Sequence, residues 1–287
     1  MVNGAKQLGD ALSRYPSKQL RPARLQRARV AVFTRTPLAL MRYLVISDIH
    51  ANLEAYDTVM AEASSLNYSK VLVLGDLVGY GADPNAICER IRALKPEALI
   101  RGNHDKVGSG VESPEGFNAV ARNAIRWTFD KLTSENRDWL AQLPAGPMIV
   151  DELIEICHGT PFDEDAYVFD DLDALRAMHA ARRPLCLFGH THVQVGHYLS
   201  RDHFGLSTAE EHRPLVVTIA DAHRYLLNPG SVGQPRDGDP RAGFALVDTS
   251  ARQITIFRID YPIAKAQARI LEEGLPDVLA QRLALGR

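Results

Sequence analysis

The sequence predicts an α/β fold in which one β-sheet packs on another, and three observations carry that expectation. From residue 42, strand-like apolar runs alternate with helix-like stretches in a βαβαβ order, which implies parallel strands joined by right-handed crossovers. After residue 146, short punctuated runs dominate, and a second sheet laid on the first would bury them. Five polar blocks, each just after an apolar run, place Asp, Asn and His side chains at the ends of those strands.

The expected elements follow in order. A strand over 42–47 leads to a helix near 52–65, and a strand over 71–74 leads through a loop to a helix near 84–94. Asp83 is placed to cap that second helix, and Pro84 at its first position sacrifices no needed N–H donor. A strand over 97–100 follows. Residues 113–145 form a helical insertion of two stretches, the second capped near Ser134; it either packs on the sheet or serves as a partial lid that selects substrate. Further strands are expected at 147–151, 153–157, 184–188, 193–199, 214–220, 224–227, 243–248 and 253–258, with a helix near 170–181. The tail reads as two helices broken around Gly274 and Pro276.

Composition narrows the function classes. With 46% hydrophobic and 24% charged residues the chain suits a globular body, and no apolar stretch is long enough to cross a bilayer. Residues 1–40 hold eight Lys and Arg against Asp10 alone, a net +7, so the remaining 247 residues carry −9. An acidic body is poorly suited to long nucleic acid, whose affinity rests on neutralising phosphates. The basic segment 1–40 is expected to be a disordered extension ahead of a domain spanning 41–287, since Met41 opens the first strand and nothing of the core precedes it. Cys88, Cys157 and Cys186 show no paired spacing, which favours a reducing cytoplasm over a disulfide framework.

The five blocks are Asp48-Ile49-His50, Gly75-Asp76, Gly102-Asn103-His104-Asp105, His158-Gly159 and Gly189-His190-Thr191-His192. Ligands of open α/β sheets bind outside the carboxyl ends of strands, so the blocks are expected to converge on one site. Carboxylate, imidazole and amide donors without thiolates suit divalent manganese, iron, cobalt, nickel or zinc, manganese first. Two such ions lower the pKa of a shared water and clamp both oxygens of an in-line phosphoryl displacement, which points to phosphate-ester hydrolysis. Asp76, central among the blocks, is the natural bridge, through its two oxygens. Single matches of this kind are common and often structural; five in order after five strands are not. His179, His197, His203, His212 and His223 lack such placement and read as ordinary surface or core residues.

Over nearly all of 41–287 these blocks resemble those of the calcineurin-like metallophosphoesterase superfamily. The stretches Gly-Asp-Leu-Val-Gly-Tyr-Gly at 75–81 and Asn-Pro-Gly-Ser-Val-Gly-Gln-Pro-Arg at 228–236, with Gly-Leu-Pro at 274–276, are similar to its compact bacterial and archaeal phosphodiesterase branch. The resemblance implies a four-layer αββα sandwich of two mixed sheets flanked by helices, with a dinuclear metal site at the strand ends. It further implies Asp48, His50 and His192 on one ion, Asp76 bridging, and Asn103, His158 and His190 on the other. His104 would stand free of metal near the leaving group, as general acid or electrostatic stabiliser, beside an orienting carboxylate. Arg101, Gly230 and Arg236 are candidate substrate-binding residues, although Asp237 and Asp239 are placed to hold Arg236 instead.

Protein Ser/Thr phosphatases of the superfamily typically carry Asp-Arg-Gly after the second block and end the third with Glu, where this chain has Leu77, Val78, Gly79, Tyr80 and Gly81, then Asp105. A diester carries less charge than a fully ionised monoester, so the missing Arg favours a small or nucleotide-like diester as substrate. The alternatives are a phosphomonoesterase, a dinucleoside polyphosphate hydrolase, or a silent protein-binding scaffold such as one retromer subunit of this fold. Self-association is left open. Residues 201–213, polar and irregular, are expected to form a surface loop, and Ala51 stands where many relatives have Gly.

Overall fold

Strands β1 (Arg42–Ile46), β2 (Lys70–Val73) and β3 (Ala98–Leu99) are parallel neighbours, joined by helices α1 (Leu53–Ala63) and α2 (Pro84–Leu94) as the βαβαβ pattern requires. A computed structural model describes residues 41–201, 203–207 and 213–287. The expected extension 1–40 lies outside the described residues, as does His212.

After β3 come α3 (Asn103–Gly108), α4 (Ala119–Lys131), α5 (Ser134–Ala141), β4 (Met148–Ile149), β5 (Ile154–Ile156), α6 (Asp171–Ala180), β6 (Leu185–Leu187) and β7 (Val195–Leu199). The chain continues through β8 (Phe204–Ser207), β9 (Leu215–Thr218), β10 (Arg224–Asn228), β11 (Ala242–Asp248) and β12 (Gln253–Ile259) to α7 (Ile263–Glu272) and α8 (Asp277–Leu285). One mixed sheet has the order β3-β2-β1-β11-β12-β9, the other β4-β5-β6-β10-β7-β8.

Side-chain alternation along the strands builds the layers. Tyr43, Val45, Leu72 and Leu74 point inward to meet Ile154, Ile156, Leu185, Leu187 and Leu227 of the second sheet. Their neighbours Leu44, Ile46, Val71 and Val73 face outward against Ala55, Val59, Ile87, Ile91, Ile270 and Leu279 of the helices. Beyond the second sheet, Cys157, Cys186 and Leu226 pack against Ala174, Ala177 and Met178 of α6. The result is the αββα sandwich. Cys157 is a buried free thiol 3.6 Å from the Cys186 sulfur and packs as a small apolar residue.

Three local expectations are revised. The Asp83 side chain does not cap α2; its carboxylate accepts from Arg269 of α7 at 3.0 Å and ties two outer helices together. Thr133, not Ser134, caps α5 by accepting from the Asn136 N–H. Within the expected loop 201–213, Phe204–Ser207 forms the edge strand β8 against β7. Burial along β8 does not alternate, because it is an edge strand, so the periodicity that marks inner strands is missing.

Candidate metal centre

Each block stands at the carboxyl end of its strand. Asp48 and His50 follow β1, Asp76 follows β2, Asn103 and His104 open α3 after β3, His158 follows β5, and His190 and His192 follow β6. The first three come from one sheet and the last two from the other, so the site bridges the two sheets. Turns after β1 and β2 stay in register beyond the strands: Asp48 N–H donates to Gly75 O, His50 N–H to Asp76 O and Ala51 N–H to Leu77 O. Among the described residues with positive φ that are not glycine, seven of eleven lie here: Asp48, His50, Ala51, Asp76, Tyr80, His190 and His192. Such strain, about 1–3 kcal/mol per residue, persists where the surroundings over-determine it. It also explains why glycine suits position 51.

The side chains form two buried groups. Asp48, His50, Asp76 and His192 make one and Asp76, His158 and His190 the other, with ligand atoms within 4.8 Å of one another in each. Asp76 is common to both. Its Oδ2 lies 3.5 Å from His50 Nε2 and 3.5 Å from His158 Nε2. Its Oδ1 accepts the His104 N–H at 2.9 Å, so one oxygen rather than two faces both groups. Gly102 makes this possible, since a Cβ there would collide with Asp76 Oδ1. Asn103 joins the second group through Oδ1, 3.3 Å from His158 Nε2.

The rings are aimed from behind. The Nδ1 atoms of His50, His158 and His192 meet the carbonyls of Val78, Leu74 and Gln234, and His190 uses Nε2 on the Asp165 carbonyl. A carbonyl only accepts, so each back nitrogen carries a proton, as metal-binding histidines require. Burial is the chief cause that drives His50 and His192 well below the usual imidazole range and His190 to about 3. Neutral His50 and His192 therefore oppose two Nε2 lone pairs at 3.1 Å, an arrangement that suits a cation between them. Burial also opposes a charge on His158, but Asp76 and Asp48 outweigh it and raise that ring, while Asp76 itself is held low. The cluster stabilises positive charge, and its donor set fits divalent metal.

A family model described as the calcineurin-like phosphoesterase superfamily domain matches residues 41–252. The chain belongs to that superfamily. This phosphoesterase is 36% identical over 252 residues to an uncharacterized protein of Methanocaldococcus jannaschii, covering 85% of this chain and 97% of the relative. A metallophosphoesterase structure from Sphaerobacter thermophilus is similar at a TM-score of 0.76 and 38% identity, covering 86% of this chain and 99% of that one. A hypothetical protein of Pyrococcus horikoshii shares the fold at a TM-score of 0.68 and 21% identity, with 86% and 98% covered.

The remaining sequence candidates divide. His104 is buried in the phosphoesterase site, its ring centroid 4.9 Å from that of His50. Among the described residues its buried Nδ1 has no partner, and the expected orienting carboxylate is not found there: the adjacent Asp105 accepts the N–H groups of Leu77, Val78 and Gly102 at 2.8, 3.2 and 2.9 Å. His104 is positioned instead by rings, Tyr80 at 4.4 Å and Phe117 at 4.7 Å. Phe117 leads into α4, so the insertion both packs on the sheet side and reaches the site. Arg101 is gripped by Glu164 at 2.9 and 3.1 Å rather than standing free for substrate. The Gly230 N–H is taken by Asn228 Oδ1, and those of Val232 and Gly233 by Ser47 O and Asp48 O. Loop 228–236 thus holds the ligand turns together instead of offering consecutive donors. Arg236 is the reverse case: Asp237 and Asp239 pair with Arg258 and Arg241, and Arg236 has no carboxylate partner among the described residues.

Two residues that the sequence does not single out as site candidates also line this site. Tyr80 sits 4.8 Å from His50 by ring centroids, and Tyr167 sits 3.9 Å from His190. The only sequence signal for Tyr80 was its place in the 75–81 stretch, and Tyr167 had none. His179, His197, His203 and His223 belong to neither ligand group.

Proposed function

We propose that this phosphoesterase is a metal-dependent phosphodiesterase acting on a small or nucleotide-like ester with two divalent ions. The observation that carries the reading is the single Asp76 oxygen 3.5 Å from one ring nitrogen of each group, which sets two donor sets side by side around a shared atom. Asp48, His50, Asp76 and His192 would hold one ion, and Asp76, Asn103, His158 and His190 the other, manganese being the first choice among borderline metals. When bound, such ions supply Lewis acidity to the phosphoryl oxygens and lower the pKa of water.

The chain's own residues supply the rest. Arg236 orients a phosphate through a guanidinium that no carboxylate among the described residues neutralises, and His104 stands beside the ligand groups to stabilise charge on the leaving oxygen. Tyr80 and Phe117 pack against the His104 ring, which is buried. The preference for a diester rests on the stretch Leu77-Val78-Gly79-Tyr80-Gly81 after Asp76, which carries no Arg. Buried free thiols suit a reducing cytoplasm.

A second reading, phosphomonoesterase, is favoured by Arg236, whose free charge would offset the extra charge of a dianion. Bis(p-nitrophenyl) phosphate and p-nitrophenyl phosphate separate the two with manganese-loaded protein. Higher kcat/KM on the diester is expected, and higher kcat/KM on the monoester would reverse the order. Asp76→Asn should lose both activities; unchanged turnover would sink the assignment of Asp76.

A further inference from the structure

A row of aromatic rings leads from the ligand cluster to solvent. Tyr167 has its ring centroid 3.9 Å from that of His190, and Phe169 stacks on Tyr167 at 4.8 Å with the planes 11° apart. Phe169 is 80% exposed. Single exposed apolar residues need no explanation, but a parallel pair in contact with a ligand histidine is a different arrangement.

The segment that carries these rings is pinned. The Asp165 carbonyl accepts from His190 Nε2 at 3.1 Å, Arg101 holds Glu164, and Lys106 bonds Asp165 at 2.6 Å and Glu164 at 3.2 Å. At the outer end the Phe169 N–H donates to Asp173 at 3.0 Å. The stack is therefore presented in a fixed pose, so binding against it costs little ordering.

Arg236 lies close to both the row and the cluster, 5.6 Å from the Tyr80 ring centroid beside His50 and near the Tyr167 phenol. Burial raises the phenols of Tyr80 and Tyr167, and in both the charge of Arg236 is the leading influence that opposes the rise. A guanidinium without a carboxylate partner among the described residues, to meet an anion, next to a flat exposed aromatic surface, matches the two halves of a nucleotide.

We propose that Tyr167 and Phe169 form a base-stacking platform, and that the phosphate ester taken by this site carries a nucleobase. The inference rests on reading the site as a phosphate-ester site and adds the class of ester. Stacking uses the π-face common to all bases, so the platform favours nucleotides over sugar phosphates without selecting one base.

Calorimetry on the full chain with manganese tests this, using the non-hydrolysable phosphonate analogues of adenosine 5′-phosphate and ribose 5-phosphate. The adenosine analogue is expected to bind about 5- to 150-fold more tightly, the range that base stacking supplies. Phe169→Ala should bring the ratio close to one, and Phe169→Trp should retain it. The Phe169 side chain is largely in solvent, so neither variant threatens the core. Equal affinities in the wild type, or a ratio untouched by Phe169→Ala, would overturn the platform. If the ratio behaves as expected while monoesters are cleaved faster than diesters, the platform stands and the diester preference falls. If neither analogue binds while the aryl diester is still cleaved, the platform falls and the phosphodiesterase reading stands.

Discussion

His50 and His192 present their Nε2 atoms to each other at 3.1 Å while their Nδ1 protons are held by the Val78 and Gln234 carbonyls. Neither ring can turn to relieve the contact without leaving a buried carbonyl unpaired, which costs about 1–3 kcal/mol. A cation between them removes the repulsion, so metal binding and folding stability must be coupled. After chelation, added manganese is expected to raise the melting temperature, with stabilisation of about 2.7 kcal/mol at a hundredfold excess over Kd. His192→Ala should lose most of that response and at least about 100-fold in turnover. An undiminished thermal shift in the variant would remove His192 from the ligand set.

Asp105 is a structural staple. Its carboxylate accepts three backbone N–H groups and so ties the turn after β2 to the start of α3. Val78 lies in that turn, and its carbonyl aims His50. Asp105→Asn keeps the shape but turns an NH2 toward a backbone donor, so at least one N–H loses its acceptor. Hydrogen bonds to charged groups contribute about 1.5–3 kcal/mol, and a loss of about 2 kcal/mol in urea unfolding is expected. A midpoint equal to that of the wild type would show that the staple carries no load.

Arg101 offers a test that separates two roles. As a substrate clamp its loss would raise KM and leave metal affinity alone. As the anchor of Glu164, beside the Asp165 carbonyl that aims His190, its loss should loosen a ligand's support. Removal of such supports typically weakens metal binding 10- to 100-fold. Arg101→Ala is therefore expected to shift the metal titration by about that factor. A raised KM with an unmoved metal titration would restore the clamp.

Both arginines show where the sequence stops being legible. Asp48, Asp76, His158 and the Gly-His-Thr-His block could be read because metal chemistry demands particular side chains and strand ends fix their position. Whether Arg101 or Arg236 is free depends on partners far along the chain: Glu164 is 63 residues from Arg101, and the carboxylates next to Arg236 pair with Arg258 and Arg241 instead. Which Asp76 oxygen faces the cluster depends likewise on the His104 N–H, 28 residues away. Tyr167 and Phe169 carry no motif because stacking needs only a flat ring and a place to stand, and the place is fixed by the ion pairs of Glu164 and Asp165. The layers were legible because alternation in β1, β2, β5 and β6 assigns each face, and β8 was not because it lies at an edge.

Arg236 completes the argument about charge. Its guanidinium lies 5.6 Å from the Tyr80 ring centroid and donates to Gln234 at 3.0 Å, two contacts that position it without neutralising it. An unneutralised cation beside a phosphate contributes more when the phosphate carries two charges than when it carries one. Arg236→Ala should therefore lower kcat/KM for p-nitrophenyl phosphate by about 100-fold and for bis(p-nitrophenyl) phosphate by about 10-fold, one charge-assisted contact being involved in each. Arg236→Lys should recover part of the monoester loss, because it restores charge but not the fork. Equal losses on both esters would mean that Arg236 acts through the shape of the Tyr80 wall, and the charge argument for a monoester would then have no support in this site.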